Sequence, residues 1–478
     1  MPVASRRFAG YDPELMARTP LSSVDSAWLR MEDPTNLMMV TGVLSFEERL
    51  DPRGLHKVLE ERLLSFPRFR QRVQEPPFGI GPPMWTTDDR FRLDAHVHRV
   101  ALPQPGDKEG LEALVSDLMS TPLDFSKPLW QVHLVDYGGG SVVVARIHHC
   151  IADGIALIQV LLSLTDTSAE PQQPPAARPP EEAGESSWPA LPRAVGRLAE
   201  AGLGLLRDPS RALDAATLGA AAAGTLAQIA MLPPDPSTPL KGALGVSKRA
   251  AWSEPISVAE VKAAGVRDGA TINDVLVAAA TGALRRYLIA RGQDVRGLEI
   301  RVAVPVNMRG TDRGAELGNQ FGLVFLPLPI DVADGRGRVL EVKRRMDDLK
   351  ASLQPAVAMG MLSLIGYVPS RVQPLAVEFF GSKASAVLTN VPGPREQLYL
   401  AGRPLARAMF WVPQSGRLGL GISILSYNGQ VLIGVASDAG LVPDPERIVS
   451  EFEADLAELI RPRRSGGRRR RPAKPAAD

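Results

Sequence analysis

An α/β fold is the class this sequence predicts, and three observations predict it. Residues 141–147 (SVVVARI) form a β-branched run of the buried-strand type. Residues 155–164, after a short loop, are apolar on nearly every side and read as a buried helix. Strand-like and helix-like segments alternate through both halves of the chain, which argues for sheets covered by helices. Asn428-Gly429 separates two apolar runs and is a hairpin signal, because the tight primed turns need positive φ.

The remaining elements follow in order. Residues 38–46 (MMVTGVLSF) are rich in strand formers, and 55–64 have helical spacing. Residues 95–102 and 130–136 alternate as strands do. Past the middle of the chain, 271–291 is a strong helix. Thr271 stands where an N-cap should be, Asn273 and Asp274 lie in the first turn, and Gly292 follows the end. Strands are expected at 299–306, 321–327, 386–390, 419–427 and 430–437, and a closing helix at 445–460.

Composition divides the chain. Residues 168–191 are rich in Pro, Glu, Gln and Ala, with Pro174-Pro175 and Pro179-Pro180, which is a linker composition. Residues 194–231 then read as helix, interrupted by Pro209 and ended by Pro233-Pro234. This stretch is either a helical bridge or an apolar surface resting on a bilayer, and its alanine content weakens the second reading. The expected organisation is a first domain over 1–167, a linker over 168–247, a second domain over 248–461 and a tail over 462–478.

The 478 residues are 45% hydrophobic and 23% charged, a soluble globular mix. No run of about 18 strongly apolar residues calls for a membrane span, and the first twenty residues lack a signal-peptide shape. A single cysteine, Cys150, leaves no intramolecular disulfide, which fits a cytoplasmic protein. The formal charge is +2, but from Arg461 onward seven Arg and one Lys stand against one Asp. The tail should be disordered, either a solvated appendage or a contact for anionic headgroups. The mildly acidic body offers no second basic surface, so nucleic acid is not an expected partner.

The most informative segment is His148-His149-Cys150-Ile151-Ala152-Asp153-Gly154. It sits where the buried strand ends and the buried helix begins. Adjacent residues at a strand end point to opposite sides, so the two histidines cannot share one job: one should face a cavity and the other should pack or orient it. Asp153 can brace the loop by a salt bridge or cap the helix, and Gly154 suits a tight turn. Adjacent histidines make awkward joint metal ligands. His96 and His98 could share a strand face, but no cysteine or carboxylate cluster completes a site, so no metal is expected. His56 and His133 read as structural.

The chemistry open to such a site is direct transfer. The chain has no G-x-S-x-G elbow and no cysteine marked as reactive, so an acyl-enzyme is not expected. A neutral imidazole can take the proton of an acceptor hydroxyl as its oxygen attacks an acyl thioester. The thiolate then leaves with little acid help, its pKa being about 8.5.

H-H-x-x-x-D-G resembles the signature of the CoA-dependent acyltransferase superfamily. Six further ordered blocks resemble its bacterial wax ester synthase/diacylglycerol acyltransferase branch. They are Leu21-Ser22-Ser23-Val24-Asp25 with Glu32; Pro122-Leu123-Asp124 to Pro128-Leu129-Trp130; Thr271-Ile272-Asn273-Asp274-Val275; Pro305-Val306-Asn307-Met308-Arg309 with Leu317-Gly318-Asn319-Gln320; Thr389-Asn390-Val391-Pro392-Gly393-Pro394; and Ser426-Tyr427. The resemblance covers most of 20–460. It implies two chloramphenicol-acetyltransferase-like subdomains with a tunnel between them, His149 as general base, His148 in support, and Asp153 in a structural role with Arg309 as its candidate partner. It places Asn273, Asp274 and Asn390 near the tunnel, although plain helix capping would also account for the first two. The implied reaction moves a long-chain acyl group from acyl-CoA, a substrate, to diacylglycerol or a long-chain alcohol, with no cofactor. Peripheral contact with a membrane or lipid droplet follows from such substrates. A condensation-type enzyme using carrier-bound acyl groups, or a lipid-binding protein that keeps the fold, are the alternatives.

Overall fold

The computed structural model describes residues 18–76, 81–170, 224, 227–229, 231–307, 317–319, 321–352, 354, 357–358, 360, 377–379, 381–414 and 416–461. The arginine-rich tail, most of the 168–247 linker and Arg309 lie outside the described residues.

Two mixed sheets organise the described chain. The strands that build them are β1 (Met39–Phe46), β2 (Val97–Val100), β3 (Trp130–Tyr137), β4 (Gly140–His148), β5 (Lys248–Trp252), β6 (Glu299–Asn307), β7 (Phe321–Pro329), β8 (Ala386–Pro392), β9 (Arg407–Trp411), β10 (Leu420–Tyr427) and β11 (Gln430–Asp438). The first sheet runs β9-β1-β4-β3-β2 and the second β7-β6-β8-β10-β11-β5. Ile256–Ser257 adds a short seventh strand beside β11. The helices are α1 (Ser23–Arg30), α2 (Pro52–Glu61), α3 (Lys108–Ser120), α4 (Gly154–Leu164), α5 (Val258–Arg267), α6 (Ile272–Ala290), α7 (Gly335–Lys350) and α8 (Pro445–Ile460).

β4 is central, paired antiparallel to β1 on one side and to β3 on the other. Most of its side chains are buried on both faces, which is why its sequence is a continuous apolar run and not an alternating one. The pairing of Met39 with His148 fixes where the strand stops. In the second lobe, β6-β8 and β8-β10 are parallel, and Asn428-Gly429 closes the β10–β11 hairpin with positive φ at both residues. α6 packs its Val275–Leu288 side chains against this sheet, with α8 beside it.

Three departures from the sequence reading bear on the architecture. α2 starts at Pro52, three residues early, because proline is preorganised for a first helical turn and Asp51 accepts from the Arg53 and Gly54 amides. The 95–102 strand shrinks to β2, preceded by a 3-10 turn over Leu93–Ala95. His96 therefore precedes the strand and does not share a face with His98. It lies buried between Phe91 and Trp130, its Nδ1 2.8 Å from the Trp130 carbonyl. β9, where no strand was expected, lies within the residues assigned to the 248–461 domain but joins the first sheet, pairing with β1 from Arg407↔Ser45 to Trp411↔Thr41. Apolar patterning specifies that a strand is buried, not which sheet receives it.

Candidate active site

The end of β4 is pinned on both sides. The His148 amide donates to the Leu129 carbonyl at 2.9 Å and the His149 amide to the Met38 carbonyl at 2.7 Å. The two rings then part company, as the alternation of a strand requires. His148 is fully buried; its Nδ1 accepts from the Cys150 amide at 3.1 Å. In the neutral ring Nε2 therefore carries the hydrogen. It faces Glu32 Oε2 at 3.4 Å, without hydrogen-bond alignment, and the Phe125 ring meets His148 edge-on. Nδ1 of His148 is thus committed to the loop backbone, and Nε2 is turned toward Glu32.

His149 turns the other way. Its ring stacks on Trp28 at 4.1 Å between centroids, and Phe321 packs against it edge-on at 5.8 Å. Burial pushes its pKa down to about 4; Asp153 opposes this shift, and His148 reinforces it. The imidazole is therefore neutral at physiological pH, the form a general base requires. Cys150 is also buried, and burial pushes its thiol well above the ordinary range, so it is a packing residue and not a nucleophile.

Asp153 is the N-cap of α4: its Oδ1 accepts from the Ala156 amide at 2.9 Å. Its own amide donates to the Gly318 carbonyl at 3.4 Å, tying the loop to the second lobe. The candidate partner Arg309 falls outside the described residues. Gly154 differs from expectation. It is an ordinary first helical residue, absent from the left-handed region, and an added Cβ would come no closer than 3.9 Å to Phe410. The turn is made by the standard extended cap conformation of Asp153, so Gly154 is not needed for backbone freedom.

Five more side chains surround the histidines. Besides Trp28 and Glu32 they are Asp25, Arg68 and Asn319. Asp25, on α1, is wholly buried. Its Oδ1 accepts from the Asn319 amide at 3.1 Å and from Asn319 Nδ2 at 2.8 Å, and its Oδ2 from Arg68 Nη1 at 3.2 Å. Arg68 Nη1 also donates to the Ile151 carbonyl at 2.9 Å, and Asn319 Nδ2 to the His149 carbonyl at 2.8 Å. One carboxylate thus anchors two donors, each of which grips a carbonyl of the histidine loop. Burial raises the Asp25 pKa, with Arg68 and Asn319 opposing. Asp25, Glu32 and Asn319 stand in blocks the sequence singled out, but Arg68 and Trp28 carried no signal of their own.

The predicted tunnel residues come together at the start of α6. Asn390 Nδ2 on β8 donates to Asn273 Oδ1 at 2.7 Å. Asp274 serves a capping box: its Oδ2 accepts from the Thr271 amide and its amide donates to Thr271 Oγ1. Helix capping therefore accounts for Asp274. Asn273 Nδ2 and Asp274 Oδ1 are buried without a hydrogen-bond partner.

Residues 21–276 match the wax ester synthase/diacylglycerol acyltransferase catalytic domain, and 317–460 match the C-terminal domain of the same family. This chain belongs to that family. Among its relatives is the probable diacylglycerol O-acyltransferase tgs1 of Mycobacterium tuberculosis H37Rv, 30% identical over 92% of this chain and 95% of the relative. The wax ester synthase/diacylglycerol acyltransferase of Marinobacter aquaeolei VT8 superposes with a TM-score of 0.66 at 23% identity, covering 92% of this chain and 98% of that one. The first condensation domain of the calcium-dependent antibiotic synthetase shares the fold more distantly, with a TM-score of 0.61 at 16% identity over 93% and 96% of the two chains. The mixed α/β, two-lobe architecture expected from the family resemblance is the fold that these solved structures share. Among the described residues no helix is long and apolar enough to cross a membrane.

Two buried histidines, one in the site and one on β3, have a consequence for stability. His149 and His133 both have pKa values pushed down to about 4, in each case chiefly by burial. In the unfolded chain each would titrate near the ordinary value of 6.5. Between those values the unfolded state binds more protons, so their contribution is present above about pH 6.5 and is lost as pH falls toward 4. The thermal midpoint is expected to fall by several degrees between about pH 7 and 5. Replacing His133 by a neutral side chain of similar size should flatten the fall; an unchanged pH dependence would contradict the assignment for that residue.

Proposed function

We propose that this acyltransferase carries a long-chain acyl group from acyl-CoA to the hydroxyl of diacylglycerol or a long-chain alcohol, by direct transfer with His149 as general base. The observation that carries the reading is a buried, neutral imidazole held at a strand end by backbone and ring contacts. As the acceptor oxygen bonds to the thioester carbon, its proton passes to the His149 ring. The carbon–sulfur bond then breaks and the CoA thiolate departs, to receive the proton from the same imidazole. One base serves the whole cycle, and no cofactor enters it. His148 supports, with Nδ1 held by the Cys150 amide and Nε2 turned toward Glu32; Asn273, Asn390 and Asp274 lie near the substrate tunnel in this reading.

The substrates partition into membrane, so the protein works at a membrane or lipid-droplet surface from the cytoplasmic side without spanning it. The test is purified full-length protein with palmitoyl-CoA and either hexadecanol or dioleoylglycerol, presented in liposomes that are then sedimented. Wax ester or triacylglycerol, with protein in the pellet, is the expected result. Activity only with a carrier-bound acyl group would favour the condensation-type alternative, and no transfer to either acceptor would remove the proposal.

A further inference from the structure

We infer that Asn319 is the positioning residue for His149, holding the base in place from the opposite lobe as the third member of a catalytic constellation does. This rests on the assignment of His149 as base. Asn319 is 5% exposed and lies just before β7, in a segment that touches the histidine loop repeatedly. Its neighbour Gly318 accepts from the Asp153 amide, and Phe321 meets the His149 ring. Gly318 itself has φ of +128°, which favours glycine there, and an added Cβ would sit 3.7 Å from both Arg68 Nη1 and Asp25 Oδ2.

The carboxamide orientation is fixed by its surroundings. Both groups near Nδ2, the Asp25 carboxylate and the His149 carbonyl, can only accept, so the nitrogen must be on that side. Oδ1 is then turned away from them; it is buried without a partner of its own, as is His149 Nδ1. The side chain of Asn319 raises the proton affinity of the His149 ring, against the larger lowering by burial. Asn319 therefore holds the residue through its backbone and supports the charged ring that forms during transfer. Asp25 holds Asn319 in turn through two bonds. A base oriented by a third group is the recurrent logic of such sites. Here the orienting group comes from the second lobe, so the site is complete only when both lobes are docked.

The test uses the full-length chain with palmitoyl-CoA and its better acceptor, comparing Asn319→Ala, Asn319→Asp and His149→Ala. Asn319→Ala is expected to lower kcat by about 10- to 100-fold, the scale on which small misplacements act, with KM for acyl-CoA within about threefold. The acid limb of its kcat–pH profile should move to lower pH, because a group that raises the His149 pKa is gone. A merely structural asparagine would leave that limb where it was. Asn319→Asp keeps the size but has no N–H to give, and it should lose as much activity near neutral pH; it carries the test if the alanine variant fails to fold. A folded variant with the wild-type kcat, or an unmoved acid limb, overturns the inference. If His149→Ala is inactive while the Asn319 variants are normal, only the positioning role fails. If His149→Ala is fully active, the assignment of the base fails with it.

Discussion

His149→Ala is expected to reduce kcat by about 10² to 10⁴-fold, the range for loss of a general base. No other group described around the loop can take over. The nitrogens of His148 are engaged by the Cys150 amide and turned to Glu32. Cys150 is buried with its thiol pushed up, and Asp153 is spent on the cap of α4. Water admitted to the space left by the ring is a poor base. The fold should tolerate the change, since the backbone bond from the His149 amide to Met38 does not depend on the side chain. The measurement is CoA release at saturating acceptor, with circular dichroism to establish folding. A folded variant within tenfold of the parent would remove the base from the mechanism.

Asp25→Ala should have the largest effect on stability, about 3 kcal/mol or somewhat more, the scale for breaking a buried ion pair from one side. The carboxylate is 1% exposed and accepts from three separate donors. Its removal leaves the Asn319 amide short of an acceptor in a dry region. The lower end of the range applies, because Arg68 is 23% exposed and keeps both the Ile151 carbonyl and its position over Trp85. Denaturant unfolding monitored by tryptophan fluorescence would read this as a lower midpoint with an unchanged slope. A shift of less than about 1 kcal/mol would mean that the buried pair contributes far less than its geometry implies. Activity should fall too, since the Asn319 grip on the His149 carbonyl is held in place by this carboxylate.

The strand–loop–helix carrying the histidines was legible because each part obeys local rules. A β-branched run with both faces covered is continuous, its end is marked by polar residues, and an Asp one residue before an apolar helix is a cap. The capping box at Thr271 and the Asn428-Gly429 turn were legible for the same reason. What surrounds the histidines was not. Trp28 is one apolar residue on a short helix, and nothing local says that its ring will lie on His149. Arg68 sits in a 3-10 turn among other arginines, and only the fold reveals that it reaches Ile151. Asn319 is separated from His149 by 170 residues. Contacts of that kind are set by how sheets dock, which periodicity does not encode. β9 was missed altogether, and its pairing with β1 is another contact between segments distant in the chain.

The destination of β9 limits how the enzyme can move. Five consecutive residues from late in the chain are stitched to β1, the neighbour of the strand that ends in His148. The two halves therefore cannot swing apart like a hinged jaw without tearing a strand from a sheet. In the proposed reaction, greasy substrates would then have to reach His149 without the lobes parting, so that selection among acyl chains would rest on the bore of that path and not on closure.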